Sequence, residues 1–339
     1  MPTDSPSHTS GSKMIDVARM AGVSRVTVSR AISHPELVSP ETLAQVQAAI
    51  AQLGYVPNLN AGSLATRRSR IIGAIVPTLS NAWFAETMDG LGEVLEARGY
   101  QLLLGQSRYR DAGEEALIDT FIGRQVDALV LTGVDHGDAV RRKLRAFGKP
   151  VVETWDLTDD PIDMVAGFSN EGAGAAVARY LAERGYRHLG FLGAHEHRAN
   201  KRLAGFRSEA ARLGLPDIDT EVVAPPSTID DGARMLRVLV TRSPELRAVY
   251  CSNDTLGVGA LLACRQEGWA VPGRMAVVGF SDLAIASASQ PALSSVRVQA
   301  REMGRQAARM LLARLSDVAG TPMPAVADLG FSVIGRESS

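Results

Sequence analysis

At 339 residues the chain is more than twice the ~150-residue domain norm, so two or three domains are expected and core size is no constraint. Hydrophobic residues at 45% and charged residues at 22% exclude a mainly disordered chain, and no apolar run approaches the ~18 residues of a membrane helix. The formal net charge of −1 hides an asymmetry: residues 1–70 carry seven Lys or Arg against four acids, a head of +3 on a body of −4, which points to an anionic partner for the head.

Residues 1–13 are rich in Ser, Thr and Pro and lack the apolar stretch of a secretion signal, so they read as a disordered tail on a protein that stays inside the cell, in the cytoplasm. From Met14 to Gly54 the apolar spacing is helical and fits three short helices. Ser24 is expected to cap the second, and Ser39 with Pro40 opens the third, which Gly54 closes. Ala18, Gly22 and Val28 fit a helix-turn-helix: a small residue where two helices cross, a glycine free to take positive φ, and a plug into the core. That placement turns Arg25, Val26, Ser29 and Arg30 outward, with Ser24 and Thr27 at the same helix end, as the surface offered to a DNA major groove. Arg25 and Arg30 can read guanine edges or grip phosphate, and Val26 can touch a thymine methyl.

Residues 57–70 read as a linker with helical potential from Ala61 to Thr66. From Ile71 onward short β runs alternate with amphipathic helices, the pattern of an α/β body with largely parallel sheet. The strands are too many for one ordinary sheet and divide near Phe168, which predicts two Rossmann-like, doubly wound subdomains.

Ligands in such sheets sit at the carboxyl ends of strands. Those ends carry Asn81 and Phe84, Tyr109, Glu153 and Trp155, Phe168, Arg198 and Arg202, Asn253 and Asp254, and Ser281 and Asp282, with Trp83, Asp156 and Asn170 beside them. Aromatic faces beside carboxylates, amides and arginines suit a polyhydroxylated ligand. Catalytic readings lack parts: Gly172-Ala-Gly174 misses the third glycine of a dinucleotide loop, and His195-Glu-His197 has no third metal ligand spaced nearby. No cofactor or metal is expected. Cys251 and Cys264, each in an apolar segment, read as inert thiols.

The motifs DVARMAGVSRVTVSRAI, VSPETLAQVQAAIAQLGYVPN, AGSLATRRSRIIGAIVP, RLAGF at 202–206, SNDTLGVGA at 252–260 and VPGRMAVVGFSD at 271–282 resemble the lactose-repressor family of bacterial transcription regulators along almost the whole chain. Within it, NAWFAE at 81–86, VAGFSNEGA at 165–173 and DLGFSVIG at 328–335 make the body most similar to the gluconate-operon repressors. The resemblance implies a tail (1–13), a DNA-binding head (14–58), a hinge (59–69) and a body (70–339) like periplasmic sugar-binding proteins, with subdomains 70–168 plus 298–326 and 169–297 plus 327–339. It implies a homodimer on double-stranded operator DNA, with Asn58, Ala61 and Leu64 as hinge contacts and Leu64 wedged into the minor groove. It makes Arg202 a sugar-contacting residue, Phe168 a pocket wall and Asn253 a polar partner. Ser281 and Trp155 stand where lactose-binding members carry acids, which favours a sugar acid over a neutral sugar as the small effector. A sugar-binding protein of the periplasmic type, without a DNA role, is the alternative that the body alone allows.

Overall fold

The computed structural model describes residues 12–56, 68–316 and 324–339. The expected hinge contacts Asn58, Ala61 and Leu64, and residues 1–11 of the expected tail, lie outside the described residues. The chain divides into two compact units, Met1–Ser69 and Arg70–Ser339.

In the first unit, α1 (Met14–Met20), α2 (Arg25–Ser33) and α3 (Pro40–Leu53) enclose Val17, Ala18, Val28, Ala31, Val46, Ala49 and Tyr55. Ser12 and Lys13 belong to this unit and not to a tail: Ser12 Oγ donates to Leu53 O at 2.9 Å, and the Lys13 amide donates to Asp16 at the mouth of α1. The turn between α1 and α2 needs Gly22 in the left-handed region at φ 64°. Ser24 caps α2 by accepting from the Thr27 amide at 3.1 Å, and Ser39 caps α3 in the same way. Val17, Val28 and Val46 are essentially fully buried, each contributing roughly 1.5–3 kcal/mol to a core that is small enough to need all three.

The second unit carries two six-stranded sheets. The first contains β1 (Ile71–Val76), β2 (Gln101–Gln106), β3 (Ala128–Thr132), β4 (Val151–Thr154), β5 (Met164–Gly167) and β11 (Val326–Asp328), in the order β11-β5-β4-β3-β1-β2, all parallel. The second contains β6 (Leu189–Ala194), β7 (Asp219–Val223), β8 (Ala248–Cys251), β9 (Ala276–Ser281), β10 (Ser294–Val298) and β12 (Phe331–Ile334), in the order β12-β10-β9-β8-β6-β7, with only the β10/β12 pair antiparallel. Interior strands such as β6 and β9 are buried along their whole length, as strands covered by helices on both faces must be. The covering helices are α4 (Ala82–Glu96), α5 (Asp111–Gly123), α6 (Asp138–Phe147), α7 (Asn170–Glu183), α8 (His197–Arg212), α9 (Ile229–Arg242), α10 (Asp254–Gln266), α11 (Ala284–Ala288) and α12 (Ala300–Leu315).

Three helix pairs cross through reciprocal glycines. A Cβ at Gly174 of α7 would stand 1.9 Å from the Arg202 carbonyl of α8, and one at Gly205 would stand 1.9 Å from the Glu171 carbonyl. Gly90 and Gly304 do the same for α4 and α12, as do Gly232 and Gly259 for α9 and α10. The topology fixes where a ligand can sit. In each sheet the winding reverses between two neighbours, β1 and β3 in one and β6 and β8 in the other, and the loops leaving those strands open the crevice.

Candidate functional site

Two surfaces qualify. On the helical unit, Arg25, Val26, Ser29, Arg30, Ser33 and His34 of the α2 region line a shallow groove with Met14. Val26 is 66% exposed, unusual for a valine on a helix whose other face carries the fully buried Val28. Arg25 and Arg30 are exposed and make no ion pair among the described residues, whereas Arg19 pairs with Asp16. Ser24 and Thr27 hydroxyls bond each other at 2.9 Å at the helix start. An exposed helix face with one unpaired guanidinium at its N-terminus, Arg25, a second in its last turn, Arg30, and an apolar contact point, Val26, matches what groove reading requires.

In the body, the loops after β1, β3, β6 and β8 meet in a cleft. Its inner chamber, about 30 Å³, is walled by Trp83, Phe84, Trp155 and Phe280 and holds Asn81, Tyr109, Glu196, Arg198, Arg202, Ser227, Asn253 and Ser281. It opens past Tyr109, Glu196 and Arg198 into an outer cavity of about 300 Å³. An aromatic file runs from one sheet to the other, lining the chamber except at Phe168, which lies beneath it: Trp83–Phe84, Phe84–Trp155, Trp155–Phe168 and Phe168–Phe280 have ring centroids 5.3–6.1 Å apart.

Arg202 is the most buried cation of the chamber. Its guanidinium lies 4.1 Å from the Phe280 ring centroid, donates to Asn170 Oδ1 at 2.5 Å and to Ser252 O at 3.1 Å, and lies 3.4 Å from Glu196. Asn170 in turn donates to Trp155 O. Arg198 lies over the Phe84 ring and pairs with Glu196 at 2.9 Å. Burial pulls the Arg202 guanidinium below its usual range, with the Glu196 charge opposing. Burial also pushes the Tyr109 phenol up to about 12, so it stays a neutral hydroxyl that accepts from Asn81. Arg202 Nε and Ser281 Oγ are buried without a hydrogen-bond partner among the described residues, a costly condition that a ligand with acceptor oxygens relieves.

Contacts also bridge the cleft. Arg198 donates to Thr132 O of the first sheet at 3.4 Å, and Lys201 pairs with Asp156 at 2.6 Å and Asp135 at 3.2 Å. Burial lowers the Lys201 ammonium, but the bond to Asp156 and the charges of Asp156 and Asp135 outweigh it and hold it above its ordinary value.

The cleft therefore gathers Asn81, Phe84, Tyr109, Trp155, Arg198, Arg202, Asn253 and Ser281 from the strand-end candidates. The structure places four others elsewhere. Glu153 is sealed beneath the sheet end, accepting from the Ile162 amide and standing 3.6 Å from His136; Trp155 at φ 70° breaks the strand alternation that would have put both on one face. Phe168 lies one layer down, fully buried between Trp155 and Phe280. Asp254 accepts from Ser295 and the Leu283 amide, and Asp282 pairs with Arg297 and Arg336. Sequence reasoning missed Glu196, Pro225, Ser227, Ser252 and Phe280 as lining residues. Glu196 had a signal: an acid one residue before α8 is a helix cap, and it accepts from the Ala199 amide.

Residues 13–58 match the family model "Bacterial regulatory proteins, lacI family", and residues 178–339 match "Periplasmic binding protein-like domain". The HTH-type transcriptional regulator GntR of Pseudomonas aeruginosa is 36% identical over 96% of this chain and 94% of its own length. The chain belongs to the lacI family of bacterial regulatory proteins. This lacI-family regulator shares its fold with a family member from Silicibacter pomeroyi at 32% identity and TM-score 0.91, covering 96% of this chain and 98% of that one. It also matches the transcription regulator GntR of Chromobacterium violaceum at 38% identity and TM-score 0.76, covering 79% of this chain and 99% of that one. As a member of a family of DNA-binding regulators it is not an enzyme, and the alternative of a binding protein without a DNA role falls with the head's match. No helix among the described residues is long and apolar enough to cross a membrane.

Proposed function

We propose that this regulator is a repressor of sugar-acid catabolic genes that grips a palindromic operator as a homodimer and releases it when a gluconate-type acid enters the cleft. Arg25, Val26, Ser29 and Arg30 read the major groove, and the hinge, through Asn58, Ala61 and Leu64, works in the minor groove. Its place of action is the bacterial cytoplasm, on nucleoid DNA.

One observation carries the effector reading. In the inner chamber two guanidiniums, Arg198 and Arg202, share one carboxylate, Glu196, while Arg202 Nε and Ser281 Oγ have no partner among the described residues. The surplus positive charge and free polar atoms suit a carboxylate, and the faces of Trp83, Phe84 and Phe280 suit the C–H edges of a polyol chain. About 30 Å³ holds roughly two waters, far less than a six-carbon acid occupies. Seating the acid against Arg202 in the inner chamber, and not only in the outer cavity, therefore requires the subdomains to part at the Arg198–Thr132 and Lys201–Asp156 bridges, which gives the ligand a preference between two states.

The test is a mobility-shift titration of the operator complex with gluconate, its phosphorylated and keto derivatives, and neutral sugars. A sugar acid is expected to release the DNA. Release by a neutral sugar alone overturns the anionic reading.

A further inference from the structure

The corner after β9 is strained: Ser281 has φ 103° and Asp282 φ 54°, regions that L side chains rarely adopt and that persist only where the surroundings over-determine them. The surroundings here are unusually specific. The Asp282 amide donates to Ser295 Oγ at 3.0 Å, and the Leu283 amide donates to Asp254 Oδ2 at 2.7 Å. The Asp282 carboxylate, with 4% of its side chain exposed, takes Arg297 Nε on one oxygen and lies 2.6 Å from Arg336 Nη1 on the other. Arg336 is itself fixed: its Nη1 donates to Leu293 O at 2.7 Å and its amide to Ser294 Oγ at 2.8 Å. Two arginines from β10 and from just beyond β12 thus hold one carboxylate, and that carboxylate belongs to the residue following Ser281.

We propose that Arg336, with Arg297, acts through Asp282 as a positioning residue for the effector: the clamp holds the strained corner that sets the Ser281 hydroxyl into the chamber. None of the three charged side chains lines the chamber, whereas Ser281 does, with its Oγ buried and unpartnered among the described residues. Strain at Ser281 without the clamp would relax by turning the corner, and the hydroxyl would leave the ligand's reach. The inference rests on reading the cleft as a sugar-acid site.

The experiment is a double-mutant cycle on the full chain, with sodium gluconate as the probe in calorimetry and operator affinity measured without gluconate. Arg336→Ala is expected to weaken gluconate binding about fivefold to tenfold, a lost polar contact, while operator affinity stays within about twofold. Arg336→Lys should restore most of the loss. Ser281→Ala should weaken binding similarly, and the double variant should be no worse than Ser281→Ala alone. If Arg336→Ala does not fold, Asp282→Asn replaces it in the cycle, since asparagine tolerates the left-handed backbone and loses both ion pairs. Wild-type gluconate affinity in the clamp variant, or losses that multiply in the double variant, overturns the positioning role. Absence of gluconate binding by the wild type overturns the cleft reading, and this inference with it.

Discussion

Gly205→Ala tests how closely Arg202, the proposed ligand anchor, depends on helix packing. The added methyl would sit 1.9 Å from the Glu171 carbonyl, against the 3.4–4 Å of ordinary contact, and a backbone oxygen inside a helix cannot step aside. Helices α7 and α8 must then separate by about 1.5 Å at this crossing. Overpacking of that kind costs about 1–3 kcal/mol, which for a unit of this size lowers Tm by roughly 2–4 °C per kcal/mol. The separation also stretches the 2.5 Å bond between Arg202 on α8 and Asn170 on α7 beyond hydrogen-bonding range. Losing a charged hydrogen bond of about 1.5–3 kcal/mol from the anchor should weaken gluconate binding by roughly tenfold or more. Circular dichroism melts and calorimetry read the two effects separately. A Tm shifted by less than about 1 °C together with an unchanged gluconate titration would refute the packing argument.

Arg25→Ala should cost about 1–3 kcal/mol on the operator and relax preference at one symmetric pair of base positions; equal weakening on random DNA would show that it only grips phosphate. Leu64→Ala should weaken operator binding and reduce the bend seen by circular permutation while leaving gluconate affinity intact, and an unchanged bend angle would remove the wedge assignment. Burial pushes the Asp254 carboxyl up to about 7, so the folded chain keeps a proton that the unfolded chain loses near pH 4. Its contribution therefore falls as pH rises from about 4 to about 7, by at most on the order of 4 kcal/mol. Asp254→Asn should flatten the pH dependence of urea midpoints across that window, and an unaltered slope would contradict it. His136 acts in the same direction: burial lowers it, but Glu114 and Glu153 outweigh that and raise it, so its stabilisation is lost as pH rises through its folded value.

The head was almost fully legible because its signals are local. Caps at Ser24 and Ser39, the positive φ at Gly22 and the inward Val28 are each set by a few neighbouring residues. In the body, the strand runs gave the sheets and the switch-point rule gave the cleft, but side-chain direction at strand ends was not readable. A single left-handed residue, Trp155, separates its own side chain from that of Glu153, and nothing in the local sequence marks it. Asp254 and Asp282 looked like ligand contacts because they are acids at strand ends; their actual partners, Ser295, Arg297 and Arg336, lie 15 to 54 positions downstream. Glu196 was hidden for the opposite reason, its place between two histidines drawing attention to a metal reading. Ser227 joins the chamber from a loop after β7 through its bond to Asn253, a tertiary contact that no periodicity reports.

Whether the cleft governs the head is tested most directly by Arg202→Ala in an operator mobility shift titrated with gluconate. Residue 202 belongs to the body unit and the groove-facing residues to the helical one, so the variant should bind operator like the wild type. Gluconate should weaken the wild-type complex by ~5–150-fold, a coupling of ~1–3 kcal/mol, and leave the variant's complex unchanged. Release of the Arg202→Ala complex at the same gluconate concentration as the wild type would contradict the account.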